Sequence, residues 1–427
     1  MWVKILLLFF VFSFLFKTDH SFDQDLGRHL KLGEIIVKSG NIPGVNLFSY
    51  TNPDFPFINT HWLFEVLTYL TSQTIGLQFL LIAKILIFLI SVWLILKIIL
   101  KENTVLLLPI GFIFLHVLRE RLELRPEIFS FLFTALTLFI LEKFLALRQM
   151  SSDRGTFVST TKLIFLLPII QLLWINTHIY FFVGLALQVI FILQLGYQYL
   201  RSHSSSGKLK LLLVIFVLSG VVSLVNPSGL TGLLYPLNVT KNYGYTIVEN
   251  QTMFLLESIN FRDPNFLFVK LSIGIILLSI LIVILNEVKN LKIKPRDPSL
   301  ITQDDKRKIV KNILLAGFGA ALALLNVRSL PYLAFISLPA VLQNIGGTRS
   351  TLWHKTIIFA AALLLLYESF LYLNGDYYKY TDTDTKPKLE FAESGKKALD
   401  FVVSHNLPNP IYNNFDIGSY IFYRGYP

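Results

Sequence analysis

The chain has 427 residues, 54% of them hydrophobic, and its mean hydropathy is +0.60. Such a composition excludes an ordinary soluble globule, because a run of about 20 apolar residues is enough to cross a bilayer. The formal charge of +11 indicates Lys- and Arg-rich cytoplasmic loops rather than a nucleic-acid partner. The absence of cysteine excludes disulfides, zinc–thiolate sites and thiol nucleophiles.

The first 75 residues predict a short membrane span followed by a long polar loop. Residues 2–17 have a basic residue and then an apolar core without an A-x-A cleavage site, which indicates an uncleaved first span. The first outer loop, 18–75, contains two predicted amphipathic helices, 24–38 and 61–74.

Ten further apolar runs bring the prediction to about eleven transmembrane helices in an all-α polytopic membrane protein. These runs are 76–100, 104–118, 127–147, 163–177, 179–200, 209–225, 266–286, 312–325, 331–345 and 355–373. Together with the first outer loop they form a predicted transmembrane domain over residues 1–373.

The distribution of basic residues predicts that the N-terminus lies inside. The loops predicted to be cytoplasmic are 148–162, 201–210, 287–311 and 346–355, and 287–311 alone has eight Lys and Arg against four acids. The segments that then face outward are 18–75, 119–126, 176–178, 226–265, 326–331 and everything after 374.

The tail predicts the start of a small extracytoplasmic α/β domain over residues 374–427. Residues 391–406 are typical of a soluble helix, P-I-Y-N at 410–413 of a strand, and I-G-S-Y-I-F-Y at 417–423 of a second helix. Such a domain would need further chain to close, which predicts that the sequence is a piece of a longer protein.

Asp23 and Asp25 are the first candidates for chemistry, because two carboxylates follow directly on the first span. One of them can act as general base on an acceptor hydroxyl. Alternatively, the pair can bind a divalent cation, Mg²⁺ or Mn²⁺. The structural alternative is that Asp23 caps the following helix and Asp25 complements its dipole.

Histidines in the same loop are also candidates. His29 lies one helical turn after Asp25, and His61 lies one turn before Glu65. Each pair can bind substrate or share a proton. The alternative is an interfacial histidine paired with a carboxylate.

Arginines on the predicted outer side run against the positive-inside tendency. Arg121, Arg125 and Arg328 suit bidentate contacts with phosphate, or else they pair with nearby glutamates or extend toward the interface. In the hairpin W-I-N-T-H, Asn176 and His178 can hydrogen-bond a sugar or pyrophosphate, or simply form a polar turn.

A family resemblance connects these segments. The runs F-D-Q-D-L-G-R-H-L, F-S-Y-T and H-W-L-F-E of the first loop resemble bacterial C-type glycosyltransferases, integral-membrane enzymes that use polyprenyl-phosphate-linked sugars. Further matches are L-R-P-E-I-F-S (124–130), L-L-W-I-N-T-H (172–178), N-P-S-G (226–229), V-R-S-L-P-Y (327–332) and I-Y-N-N-F-D-I-G-S-Y-I (411–421). The chain departs from the pattern at Gly27 and Arg28, where aromatic residues are common, and at 176–178, where a glycine usually follows Asn-x-His.

The resemblance implies an enzyme of the bacterial cytoplasmic membrane that transfers a sugar, with inversion, to an extracytoplasmic glycan, lipid or protein. A first-loop aspartate would be the base, and arginines such as Arg125 and Arg328 would stabilise the leaving phosphate. The alternatives are a non-catalytic envelope-assembly scaffold, a lipid or polysaccharide transporter, and an O-antigen-type ligase or polymerase. No P-loop, G-x-S-x-G or H-E-x-x-H motif supports another enzyme class.

Overall fold

The computed structural model describes residues 1–49, 51–99, 106–146, 162–202, 206–238, 247–261, 263–292, 309–346, 352–379, 384–408, 411–413 and 415–424. All regular secondary structure in these residues is helical. Extended pairing is limited there to two isolated bridges, Asp19 with Phe391 and Val45 with Pro56. The prediction of an all-α protein is therefore confirmed for the described part of the chain.

The α-helices of the described residues are numbered in chain order. The first are α1 (Trp2–Leu15), α2 (Gly27–Ser39), α3 (Trp62–Thr74), α4 (Phe79–Ile98), α5 (Leu107–His116) and α6 (Glu127–Ala146). Next come α7 (Leu166–Ile175), α8 (Phe182–Ser202), α9 (Ser206–Val222), α10 (Gly229–Asn238), α11 (Met253–Ser258) and α12 (Asn265–Lys292). The last are α13 (Ile309–Leu325), α14 (Leu338–Ile345), α15 (Leu352–Asn374), α16 (Lys396–Ser404) and α17 (Phe415–Tyr423).

Shorter helical segments of other types join them. Four are 3₁₀-helical, at Val117–Arg121, Ile179–Phe181, Val248–Asn250 and Val327–Ser329. Two are π-helical, at Phe22–Leu26 and Leu333–Ser337.

Among the described residues, five stretches are long and apolar enough to cross a membrane, judged by length and composition. They are Phe79–Ile98, Glu127–Ala146, Ile179–Arg201, Asn265–Asn286 and His354–Asn374. In the last two, only 28% and 22% of the apolar window is buried inside the protein. Large apolar side chains such as Leu277 and Phe359 therefore face outward, which is typical of helices that meet lipid.

The prediction of eleven spans is not supported. All eleven apolar runs coincide with helices, but α1, α5, α7, α9, α13 and α14 have only 8–17 described residues. At 1.5 Å per residue, helices of this length reach about 12–26 Å, short of the roughly 30 Å hydrocarbon core. An apolar run predicts burial but not helix length, and the run 331–345 is divided between a π-helical and an α-helical segment.

The prediction of an α/β domain in the tail is not supported either. Helices α16 and α17 match the two predicted helices, but residues 411–413 form no strand. A strand needs an extended neighbour for its backbone hydrogen bonds. Here α17 packs instead against α2 and the π-helical segment before it, where Phe22 contacts the rings of Tyr420 and Tyr423.

The segments predicted to face outward contact one another. Gln24 accepts a hydrogen bond from Arg125, Leu63 N donates to Asn176 O, and Val327 N donates to Gln251 O. These contacts join segments that lie far apart in the chain. The loops predicted to be cytoplasmic lie partly or wholly outside the described residues.

Candidate functional site

The π-helical segment Phe22–Leu26 positions Asp25 at the start of α2. Its first turn is held by the tail helix: a side chain at Gly27 would clash with the carbonyl of Ser419, and Arg28 N donates to Ser419 Oγ at 2.8 Å. This close approach explains why glycine occupies position 27. A π-helical turn is uncommon and often lies at a functional site.

A second close approach brings His29 to Glu65. A Cβ at Gly33 would clash with the carbonyl of Glu65, so α2 and α3 pack with their backbones close together. His29 Nδ1 donates to Glu65 Oε1 at 3.1 Å, and Asn59 Nδ2 donates to Glu65 Oε2 at 2.7 Å. Because the carboxylate only accepts, the Nε2 atom of a neutral His29 is the acceptor of the ring.

Three arginines from two distant segments surround the carboxylate of Glu249, and we call them the arginine cluster. Arg121 Nη1 lies 2.7 Å and Arg125 Nη1 2.9 Å from Glu249 Oε1, and Arg328 Nη2 lies 2.7 Å from Oε2. Arg121 also makes a bidentate pair with Glu127, at 2.6 and 3.0 Å. Guanidinium groups in this arrangement suit phosphate as well as carboxylate.

Asp25 lies at the edge of the arginine cluster. Its Oδ2 is 3.4 Å from Arg125 Nε, and its Oδ1 is 3.5 Å from Arg28 Nη2. Burial acts to raise the pKa of Asp25, but Arg125, Arg28 and His29 outweigh it and lower the pKa below its ordinary value. Asp25 is therefore ionised at neutral pH, and while Arg125 contacts it, it is a weak proton acceptor.

Histidines from three segments, His29, His61 and His178, lie next to one another. The ring centres of His29 and His61 are 5.7 Å apart, and those of His61 and His178 are 5.5 Å apart. Burial, with neighbouring histidines and arginines, lowers the pKa of His61 and of His178 well below the ordinary value. Both rings are therefore neutral at neutral pH.

His178 and Asn176 are held by protein partners. Ser130 Oγ lies 2.7 Å from His178 Nδ1, and the ring stacks on Tyr180. Asn176 accepts a hydrogen bond from Trp62 Nε1 at 2.7 Å and donates to Leu172 O and Val225 O at 2.9 Å. The amide of Asn176 thus connects three helical segments, an arrangement that favours a positioning role over direct contact with a sugar.

The cation site was predicted at Asp23 and Asp25, and only the side chain of Asp25 lies in the described residues. No group of three or more His, Cys, Asp or Glu side chains there is arranged to hold a metal ion. The side chain of Asp23 lies outside the described part of the structure. The divalent cation stays a prediction.

Glu249 and Glu127 are the site residues that the sequence analysis missed. Glu249 lies in V-E-N, within the long predicted outer segment 226–265, and Glu127 lies in the quoted motif L-R-P-E-I-F-S. A signal was present, because arginines in an apolar protein need counter-charges. What the sequence does not show is that Arg125 pairs with a glutamate 124 residues further along the chain, Glu249.

A separate ion-pair system, the buried lysine network, consists of Lys17, Asp19, Lys84 and Glu123. Lys84 Nζ donates to Asp19 Oδ2 at 2.7 Å, and both side chains are completely buried. Lys17 Nζ donates to Glu123 Oε1 at 2.7 Å. Burial acts to raise the pKa of Glu123, but Lys17 and Lys84 outweigh it and hold that pKa well below its ordinary value.

One cleft in the described residues is lined by none of these groups. It has a volume of about 990 Å³ and opens between α2, α3, α16 and α17, beside Lys31, Glu34 and Asp400. None of the predicted site residues lines it. We place the candidate site at the arginine cluster rather than in this cleft, because charge, histidines and close helix packing converge there.

Comparison with family models, with curated proteins and with solved structures gave no match. The resemblance to C-type glycosyltransferases is therefore carried forward as a prediction.

Proposed function

We propose that this protein is an integral-membrane glycosyltransferase that moves a sugar from a polyprenyl-phosphate donor to an extracytoplasmic acceptor. In this proposal it lies in the bacterial cytoplasmic membrane with its N-terminus inside. Its arginine cluster faces outward at the membrane surface, and its sequence belongs to the C-type glycosyltransferases that it resembles.

The observation that supports the proposal is the convergence of Asp25, the histidines and the arginine cluster from separate segments of the chain. Asp25 and Arg125 are in direct ion-pair contact, and Arg328 joins them through Glu249. A base beside an anion-binding site is what transfer from a phosphate leaving group requires. A scaffold or transporter has no need to bring these two kinds of group together.

The proposed reaction is an in-line displacement. The acceptor hydroxyl oxygen attacks the anomeric carbon, the bond from that carbon to the phosphate oxygen breaks, and the electron pair leaves with the polyprenyl phosphate. The hydroxyl proton passes to Asp25. Because attack and departure are on opposite faces of the sugar, the product is inverted.

Donor binding would prepare Asp25 for this step. A donor phosphate that binds the guanidinium group of Arg125 weakens the contact between Arg125 and Asp25. The pKa of Asp25 then rises toward its ordinary value, which makes it a better proton acceptor. The pair His29–Glu65 is the second candidate base, because its geometry leaves Nε2 of His29 as an acceptor.

The test is transfer of radiolabelled sugar from a panel of polyprenyl-phosphate sugars by the purified full-length chain. We expect Asp25→Asn to lower transfer by about 10²–10⁴-fold, the usual contribution of a general base. The matched control is Glu34→Gln on another face of α2, where Glu34 pairs with Lys31 and Lys38, and it should leave transfer unchanged.

The other outcomes are equally informative. Normal transfer by both Asp23→Asn and Asp25→Asn would remove the aspartates from the mechanism, and loss in Glu65→Gln would then assign the base to His29. No transfer from any donor would favour the scaffold or transporter alternative.

A further inference from the structure

The geometry around Glu249 is that of an anion site filled by the protein's own carboxylate. Arg121, Arg125 and Arg328 all direct guanidinium nitrogens at its two oxygens, at 2.7–2.9 Å. Burial acts to raise the pKa of Glu249, but the three arginines outweigh it and hold the pKa well below its ordinary value. Glu249 is therefore a permanent anion at neutral pH.

The segment that carries Glu249 has little apolar anchoring. None of the residues of the 3₁₀ turn Val248–Asn250 is buried, and the side chain of Val248 is 53% exposed. One backbone hydrogen bond, from Val327 N to Gln251 O, ties the adjacent residue to the turn of Arg328. The following helix is anchored by the buried Met253 and Leu256, while the turn itself is attached through the ion pairs of Glu249, so an anion from outside can compete for the same partners.

The arginines keep unused hydrogen-bonding capacity. The Nε atoms of Arg125 and Arg328 are buried and make no hydrogen bond in the described structure, although Arg125 Nε has Asp25 in ion-pair range. A carboxylate has two oxygens to offer, whereas a phosphate group has three or four. A phosphate can therefore satisfy donors that Glu249 leaves unpaired.

The charge balance agrees with an exchange. Arg28 also contacts Asp25, so the network holds four arginines against the carboxylates of Glu127, Glu249 and Asp25. A phosphodiester carries one negative charge, as Glu249 does, so exchanging it for Glu249 leaves the net charge of the network unchanged.

We propose that Glu249 is a built-in occupant of a phosphate-binding site formed by Arg121, Arg125 and Arg328, and that a singly charged phosphodiester displaces it. This inference deepens the proposed function and rests on it only for the origin of the phosphodiester in a lipid-linked sugar. Glu249 keeps the arginines paired when no donor is bound, and its return helps to expel the polyprenyl phosphate product.

The test measures phosphate binding without any sugar transfer. The purified full-length protein, in an uncharged detergent, is titrated with two phosphodiesters, dimethyl phosphate and farnesyl methyl phosphate, while thermal unfolding is followed by Trp fluorescence. Glu249→Gln should be less stable without ligand and should bind phosphate at least about tenfold more tightly, because a competing charge-assisted contact has been removed. Glu249→Asp keeps the charge on a shorter side chain, and its phosphate affinity should rise by a smaller factor.

A control variant and a comparison of two ligands make the result specific. Glu257→Gln is the matched control, because Glu257 pairs at 2.6 Å with the exposed Lys270 outside the arginine cluster, and its phosphate affinity should equal that of the wild type. Tighter binding of farnesyl methyl phosphate than of dimethyl phosphate would identify a lipid as the source, and equal binding would identify the headgroup alone as the ligand.

The proposal is overturned if Glu249→Gln and Glu249→Asp bind phosphate no more tightly than the wild type. Its failure is distinguishable from failure of the proposed function. Tighter phosphate binding without any sugar transfer would leave the anion site and remove the glycosyltransferase, whereas transfer with unchanged phosphate affinity would do the reverse.

Discussion

The arginine cluster and the buried lysine network both consist of ion pairs, but they differ in exposure to solvent. In the buried lysine network, Lys84 and Asp19 are both 0% exposed. In the arginine cluster, Arg328 and Glu249 are 29% and 28% exposed. A sealed ion pair cannot exchange its partner, and loss of either charge leaves the other uncompensated. An ion pair that solvent reaches can be replaced by a ligand, so exposure separates a structural contact from a binding site.

The largest loss of stability is expected for Lys84→Met, which removes a cation from the buried lysine network. We expect the free energy of unfolding to fall by about 3–5 kcal/mol, because Asp19 keeps a buried charge without its partner. Denaturant titration in detergent measures this. The control Lys97→Met removes a lysine of the same helix that lies over the ring of Trp93, and it should cost far less.

The double variant Asp19→Asn/Lys84→Met tests whether the unpaired charge causes this loss of stability. Removing both charges together should recover much of the lost stability, since no uncompensated ion remains. Equal losses in Lys84→Met and Lys97→Met would show that the buried lysine network has no special structural role.

In the arginine cluster the corresponding change is Arg125→Met. We expect sugar transfer to fall by about 10²–10³-fold, the usual cost of removing one donor that stabilises a developing negative charge. Stability should fall less than in Lys84→Met, because water can solvate the carboxylates left behind. The control is Arg424→Met, which removes an exposed arginine 3.5 Å from Asp400. Normal transfer by Arg125→Met would contradict the proposed role.

The histidines beside the arginine cluster predict a pH dependence of stability. His61 and His178 have folded-state pKa values well below 6.5, so the unfolded chain binds their protons first as the pH falls. Stability should therefore decrease as the pH drops below about 6.5, by up to about 1.4 kcal/mol per pH unit for each histidine.

Thermal unfolding between pH 6.5 and 5, a window above the titration of ordinary carboxylates, measures this slope. His61→Gln and His178→Gln should each flatten it. His405→Gln, at an exposed position of the tail, should not. A slope that is the same in all variants would mean that the two rings are not held neutral by burial.

Removing the N-cap of α11, the helix that follows Glu249, should change stability least. Thr252 Oγ1 accepts a hydrogen bond from Leu255 N at 3.2 Å and caps α11. Thr252→Val should lower the free energy of unfolding by about 1 kcal/mol. Thr74→Val is the control, because the Thr74 hydroxyl only donates to Leu70 O within its own helix. Equal losses in the two variants would argue against a capping role.

Local patterns in the sequence predicted those features whose physics is local. The amphipathic helices of the first loop were predicted at 24–38 and 61–74, and they are observed as the π-helical segment with α2 and as α3. Side-chain periodicity and apolar runs depend on nearby residues only, which is why these predictions are confirmed. The predicted number of spans is not supported, because helix ends depend on turns and packing as well as on hydropathy.

The sequence by itself determined that this is a helical chain with several segments able to cross a membrane, and that carboxylates, histidines and arginines recur between those segments. Only the tertiary structure decided which of these charges meet. It joined Arg121, Arg125 and Arg328 to Glu249 and sealed Lys84 with Asp19. Charged partners of this kind are chosen by distance and burial in the folded chain, and neither quantity is encoded in the spacing of residues along it.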